Sequence, residues 1–249
     1  MIITLPPLTK KLAERYLSLK LGGQVVSCPY FQNLNKRFSS LALVGKGTPE
    51  EIENETKKLF IKIGKDIHNY SPGVIRFHMI MAGIGIDCSG LVSNILKSLL
   101  MENSSQSIQA TFKPKQKSLP GLIRYYTRPT GNLSADALTS EENCTKILDA
   151  NNILPGDLLR VGPGHVAIIT EVEKEGRKVK SVTYCHSTYD YLDKYGVREG
   201  SILITKPNKD LSRQNWIEYY RGRNWMLEDY LKAPANDRGI KRPRIFSKH

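Results

Sequence analysis

The chain has 249 residues, 40% hydrophobic and 24% charged, with a formal net charge of +13. A length of this order buries one sizeable core and holds one or two domains. No stretch approaches the ~20 apolar residues that cross a bilayer, which excludes a membrane-spanning helix.

The start of the chain, Met1 to Leu5 followed by Pro6-Pro7 and then Lys10, Lys11, Glu14 and Arg15, does not read as a secretory signal. Such a signal has a basic start and ~7–15 apolar residues. A cytoplasmic location is expected on that ground, or export by another route. Apolar residues at Leu8, Leu12, Tyr16, Leu17, Leu19 and Leu21 form a helical stripe closed by Gly22-Gly23. Residues 24–37 carry mixed signals. Gly45-Lys46-Gly47 marks a break. Thr48-Pro49-Glu50-Glu51 then starts a helix, with Thr48 as N-cap, proline in the first turn and Glu51 closing a capping box. Residues 1–64 are read as an N-terminal helical lead-in.

Asp87 is a good N-cap, and Leu91, Val92, Ile95, Leu96, Leu99 and Leu100 give the following helix one broad apolar face. Residues 102–118 are polar and lysine-bearing, residues 121–137 have no clear pattern, and an insertion is placed near 102–140. From Ile153 onward, apolar or β-branched runs at 158–161, 166–170, 179–184 and 201–205 alternate with glycine turns and predict strands. A long helix followed by short antiparallel strands gives an α+β class, with the helix packed on one sheet face. The main domain is read as residues 65–225. Beyond it, Lys232, Arg238, Lys241, Arg242, Arg244 and Lys248 meet only Asp237, so residues 226–249 are read as a mobile basic tail. Such a tail attracts an anionic polymer. No nucleic-acid motif accompanies it.

The four cysteines, Cys28, Cys88, Cys144 and Cys185, are too few for a disulfide framework and hold no C-x-x-C pair. No metal or cofactor is therefore expected. Cys88 stands apart because Asp87-Cys88-Ser89-Gly90 puts its thiol in the first turn of a helix, where the macrodipole and unpaired N–H groups favour a thiolate. A thiolate attacks carbonyls, and the same N–H groups can receive the resulting oxyanion. Gly90 leaves room for close approach of a backbone. His165 follows the turn Gly162-Pro163-Gly164 and enters an apolar strand. His186 closes a later strand in Tyr184-Cys185-His186-Ser187. A hairpin centred on Glu175-Gly176 pairs Lys174 with Arg177 and, carried back along both strands, His165 with His186. Cross-strand partners have Cβ atoms ~4.5–5.5 Å apart, so His186 can orient His165 as a general base for Cys88.

Asp-Cys-Ser-Gly-Leu-Val opening a helix, then Pro155-Gly156-Asp157, then Gly-His-Val-Ala-Ile-Ile, then a strand ending in histidine resembles the NlpC-type endopeptidases. These are papain-like bacterial cysteine hydrolases that cut peptide or amide bonds in peptidoglycan. The resemblance covers residues 85–187. It implies a papain-like fold, a peptide or peptidoglycan-type substrate, Cys88 as nucleophile, His165 as base and His186 as its orienting partner. The chain departs from the family in a long separation of Cys88 from His165. It also lacks a cell-wall-binding repeat and a tyrosine shortly before the cysteine, the nearest upstream being Tyr70. An acyltransferase or amidase on the same scaffold would use the same residues. A noncatalytic protein holding an anionic polymer is the contrasting class.

Overall fold

The computed structural model describes residues 1–32, 40–114, 119–127, 129–189 and 195–247. The fold is α+β. Among the described residues an eight-stranded sheet runs in the order β4-β10-β5-β6-β7-β8-β9, with β1 pairing β6. Its strands are β1 (Ile2–Thr4), β4 (Cys144–Ile147), β5 (Leu158–Gly162), β6 (His165–Glu175), β7 (Lys178–Thr188), β8 (Gly196–Leu203), β9 (Asn215–Ile217) and β10 (Gly239–Pro243). Every pairing in this sheet is antiparallel. A separate hairpin joins β2 (Leu19–Leu21) to β3 (Gln24–Val26).

The helix of residues 88–104 forms as its apolar spacing requires. This helix, Cys88–Ser104, is the fourth in the chain and is called α4; before it come α1 (Pro7–Leu17), α2 (Pro49–Lys62) and α3 (Pro72–Met81). Leu91, Val92, Ile95, Leu96 and Leu99 pack with Leu158, Val166, Ile168 and Cys185 on one face of the sheet. On the other face Leu159, Val161, Ala167, Ile169 and Tyr184 pack with Trp216, and with Met226 and Tyr230 of the ninth helix, α9 (Trp225–Lys232). Between α4 and β4 the described residues form four short helices, α5 (Ile108–Thr111), α6 (Leu119–Thr127), α7 (Pro129–Asn132) and α8 (Ala135–Leu138). Phe112, Tyr125, Leu133 and Leu138 from this region are buried in the α4-side core, so the polar stretch read as an insertion also contributes packing.

Three sequence expectations change. The stripe of residues 8–21 is helical only to Leu17; Leu19 and Leu21 lie in β2, both buried, because Gly22 and Gly23 adopt the left-handed φ values of +57° and +75° that turn a hairpin. The lead-in of residues 1–64 is built into the rest of the fold. Ile2, Ile3 and Thr4 pair with Glu173, Val172 and Glu171 of β6, and Leu5, Tyr16 and Phe60 join the α4-side core. The capping box of α2 forms as read, with the Thr48 N–H donating to Glu51 Oε2 at 2.7 Å and the Glu51 N–H to Thr48 Oγ1 at 3.3 Å.

The third change concerns residues 226–249. The segment read as a mobile tail contains α9 and β10, and β10 lies inside the sheet, with Ile240 opposite both Ile147 and Leu159. Its arginines are held by the protein. Arg242 grips Asp157 with Nε–Oδ1 and Nη2–Oδ2 both at 2.8 Å, a fork-to-fork pair. Arg238 pairs with Asp210 and donates to the Tyr230 and Ala233 carbonyls, and Arg244 donates to the Glu141 carbonyl. Lys248 and His249 lie outside the described residues. Net charge alone suggested a tail because the acids that answer these cations are distant in sequence.

Truncation after Leu231 is therefore expected to abolish cooperative unfolding, since it opens two strand edges and leaves buried Asp157 without its guanidinium. Thermal unfolding followed by circular dichroism checks this; a truncated chain that melts like the full chain contradicts it.

Candidate functional site

The site begins with the loop that delivers Cys88. Asp87 caps α4 by accepting the Gly90 N–H at 2.6 Å. The cap is buried, and its charge is met by Lys46, whose Nζ lies 2.8 Å from Asp87 Oδ1 with both side chains almost wholly shielded from solvent. Lys46 Nζ also contacts Ser89 Oγ. The preceding residue, Ile86, is bridged by Tyr30 on one side and Lys46 on the other. The Asp87 N–H donates to the Gly45 carbonyl at 2.9 Å. Gly90 has a definite reason: a Cβ there would sit 2.3 Å from the Gly45 oxygen. The backbone that approaches Gly90 is thus the chain's own segment 45–46.

Cys88 is buried at 7% exposure, more open than Cys144 at 3% or Cys28 and Cys185 at 0%. All four are free thiols. The Cys88 S–H donates to the Gly164 carbonyl at 3.4 Å, and the backbone N–H groups of Ser89 and Val166 face the sulfur. The thiol thus rests against Gly164, in the turn before β6, and Val166, the residues on either side of His165. The helix start does not make it a resident thiolate. Burial and the Asp87 carboxylate push it up to about 11, against the opposing pull of Lys46 and the two N–H groups. Burial pushes Cys144 up to about 12, and Cys28 and Cys185 higher still.

The two histidines meet. His165 Nε2 and His186 Nδ1 are 3.1 Å apart, with ring centroids at 5.3 Å and planes at 86°. They are not the direct cross-strand partners that the hairpin reading expected. The turn lies at Gly176-Arg177, with Glu175 opposite Lys178, and further along Ile168 pairs with Cys185. One step on, that register sets His186 beside Ala167 and His165 on the diagonal. The true register differs from the expected one by two residues. An even shift leaves every side chain on its face, so the rings still come together. His165 is half-buried and His186 fully buried. Burial, with His186 and Arg160 beside it, pushes the His165 imidazole down to about 3, so the ring is neutral at rest.

Behind His186 stands a residue that sequence reasoning missed. Glu218, with a side chain 2% exposed, lies 2.9 Å from His186 Nε2 through Oε1. Its Oε2 accepts from the Tyr184 hydroxyl at 2.6 Å, and Arg198 Nε lies 2.6 Å from Oε1. Burial opposes the charge of this carboxyl, but His186, Tyr184 and Arg198 together hold it below the usual range, so it is ionised. Gly200 makes room: a Cβ there would lie 2.4 Å from the Tyr184 oxygen and 2.5 Å from Glu218 Oε2. A signal existed in the alternation of Asn215, Trp216, Ile217 and Glu218, out, in, out, in, which puts a carboxylate on an apolar face. Lys46 was visible only as a lysine between two glycines. The tyrosine question is not answered by Tyr70, which packs on Phe60 and His78.

Among the described residues no group of three or more histidine, cysteine, aspartate or glutamate side chains is arranged to hold a metal ion, and no helix is long and apolar enough to cross a membrane.

Two measurements test these electrostatics. The rate of Cys88 alkylation by iodoacetamide, followed by peptide mapping, is expected to climb with pH well beyond the ordinary thiol value of ~8.5; a plateau below that value contradicts the burial argument. Lys46→Met leaves Asp87 buried and uncompensated, and is expected to lower stability in denaturant unfolding by about 3–5 kcal/mol.

Comparisons with known protein families, with characterised proteins and with solved structures find no match to this chain.

Proposed function

We propose that the chain is a thiol hydrolase that cleaves a peptide or amide bond through an acyl-enzyme, in the manner of the NlpC-type enzymes its motifs resemble. One observation supports this most: a thiol in the first turn of α4 rests against the start of β6, where His165 is hydrogen-bonded to a second histidine. Cys88 Sγ attacks the amide carbonyl carbon while its proton passes to His165. The ring nitrogen that serves is Nδ1, since Nε2 is occupied by His186. The tetrahedral oxyanion has backbone N–H groups at the α4 start within its surroundings. Collapse breaks the C–N bond, and His165 returns the proton to the leaving amine. Water, deprotonated by the same ring, then hydrolyses the thioester and releases the acid.

With the thiol and the imidazole both neutral at rest, proton transfer accompanies attack rather than preceding it. Full charge separation in the resting site would have to overcome the burial that raises one group and lowers the other. Substrate entry, by placing a polarisable carbonyl beside the sulfur, relieves that penalty. Peptidoglycan stem peptides are the substrate class that the resemblance suggests. The anionic-polymer reading rested on the C-terminal segment, and it weakens now that the arginines of that segment are engaged in the fold.

The decisive experiment incubates purified peptidoglycan fragments and simple peptides with the wild-type chain and Cys88→Ala, identifying products by mass spectrometry. New termini that require Cys88 are expected, and their absence across both substrate sets would sink the proposal. His165→Ala is expected to lower turnover by about 10²–10⁴-fold, and His186→Ala to lower it less. His186→Asn should recover part of that loss, because an amide oxygen can still accept from His165.

A further inference from the structure

We infer that Glu218 is a positioning residue that sets the tautomers of His186 and His165, so that the Nδ1 lone pair of His165 is the one left for the Cys88 proton. The catalytic meaning of this rests on the thiol-hydrolase reading; the tautomers themselves do not.

An ionised carboxylate only accepts hydrogen bonds. Glu218 Oε1, 2.9 Å from His186 Nε2, therefore requires the proton on that nitrogen. Arg198, 2.6 Å from the same oxygen, supplies the counter-charge, and the Tyr184 hydroxyl saturates Oε2. A carboxylate favours a second proton on a neighbouring imidazole, and the Arg198 charge at the same oxygen offsets that pull. A neutral His186 with hydrogen on Nε2 carries its lone pair on Nδ1. That lone pair is 3.1 Å from His165 Nε2, which must then bear hydrogen. A neutral imidazole has one proton, so His165 Nδ1 is bare. When Cys88 attacks, the S–H bond breaks, the proton joins Nδ1, and the resulting imidazolium keeps its Nε2–H on His186. No other proton has to move.

The competing arrangement is easily written. A doubly protonated His186 would donate from Nδ1 to His165 Nε2, leaving the His165 proton on Nδ1. A ring so protonated cannot act as base towards the thiol. The choice between the two is made behind His186, at a carboxylate that touches neither substrate nor sulfur. The site is also shaped for that carboxylate, because Gly200 is the residue whose missing side chain admits the Tyr184–Glu218 contact.

The test uses the full chain with ¹⁵N-labelled histidine and two-bond ¹H–¹⁵N correlation spectra at neutral pH. The chain has 5 histidines, and His165→Gln and His186→Asn assign the two that matter. Wild type is expected to show His165 and His186 both as Nε2–H tautomers. Glu218→Gln, which keeps an oxygen acceptor at the Oε1 position, is expected to preserve them. Glu218→Met should give mixed His165 tautomers and a fall in kcat on the order of 10²-fold or more with KM nearly unchanged, as expected of a mis-set base. Should Glu218→Met fail to fold, Gly200→Ala displaces the carboxylate without deleting it and is expected to give the same mixture. A wild-type His165 protonated on Nδ1, a doubly protonated His186, or a folded Glu218→Met with unchanged tautomers would overturn the inference. Expected tautomers without thiol-dependent cleavage would instead remove the hydrolase reading and leave the role of Glu218 standing.

Discussion

A helix that begins inside a protein must satisfy its first N–H groups without water, and the start of α4 is such a place. Asp87 provides the acceptor, but a buried carboxylate is itself unfavourable unless paired. The pairing comes from Lys46, forty-one positions upstream. Much of the N-terminal region follows from this need. Segment 45–47 has to lie along the first turn of α4, Gly90 has to lack a side chain to admit it, and Asn94 fastens it by donating to the Lys46 and Gly47 carbonyls. Tyr16 reaches the same place, its hydroxyl donating to the Gly47 carbonyl at 3.0 Å. Residues 45–47 and Tyr16 thus support the loop that carries Cys88.

The same logic, charge met by charge out of solvent, repeats behind the histidines. Glu218 is met by Arg198, as Asp87 is met by Lys46. Neither pair leaves a net charge beside Cys88 and His165, and burial keeps that thiol and imidazole neutral. A site built this way has little standing electrostatic activation. What it offers is orientation: hydrogen bonds that decide which nitrogen holds a proton, and N–H groups aimed at the sulfur. Orientation is worth most where water is excluded, because fixed dipoles there need no reorganisation when charge develops.

The sequence revealed the local features well. The capping box of α2, the Asp87 cap, the apolar face of α4 and the strands following Ile153 all depend on residues within a few positions of one another, and each formed. Residues 201–205 were read as a strand that runs instead from Gly196 to Leu203, a boundary shift within the same element. What failed were inferences that needed a distant partner. Lys241 and Arg242 look like solvated tail charges until Asp157 is set against Arg242 in space. Glu218 looks ordinary until His186 and Arg198 surround it. The histidine pair was recovered despite a wrong turn position, because side-chain face depends only on the parity of the register, which an error of two residues preserves.

That parity also explains where Cys88 and His165 can approach one another in this fold. Val166, Ile168 and Cys185 face α4, whereas Ala167, Ile169 and Tyr184 face the opposite core. Tyr184, its ring centroid 5.6 Å from that of His186, shows that the histidine network belongs to the second face. Cys88 belongs to a helix on the first. The two can approach only at the rim, where β6 begins and no neighbouring layer separates the faces. Gly162 and Gly164, with φ of +133° and +78°, shape that rim, and the β5–β6 ladder slips between Arg160 and Gly162. A bulge at such a place re-aims the next side chain. The Gly-Pro-Gly turn therefore carries His165 to the end of the sheet, the position from which its ring contacts His186 on its own face.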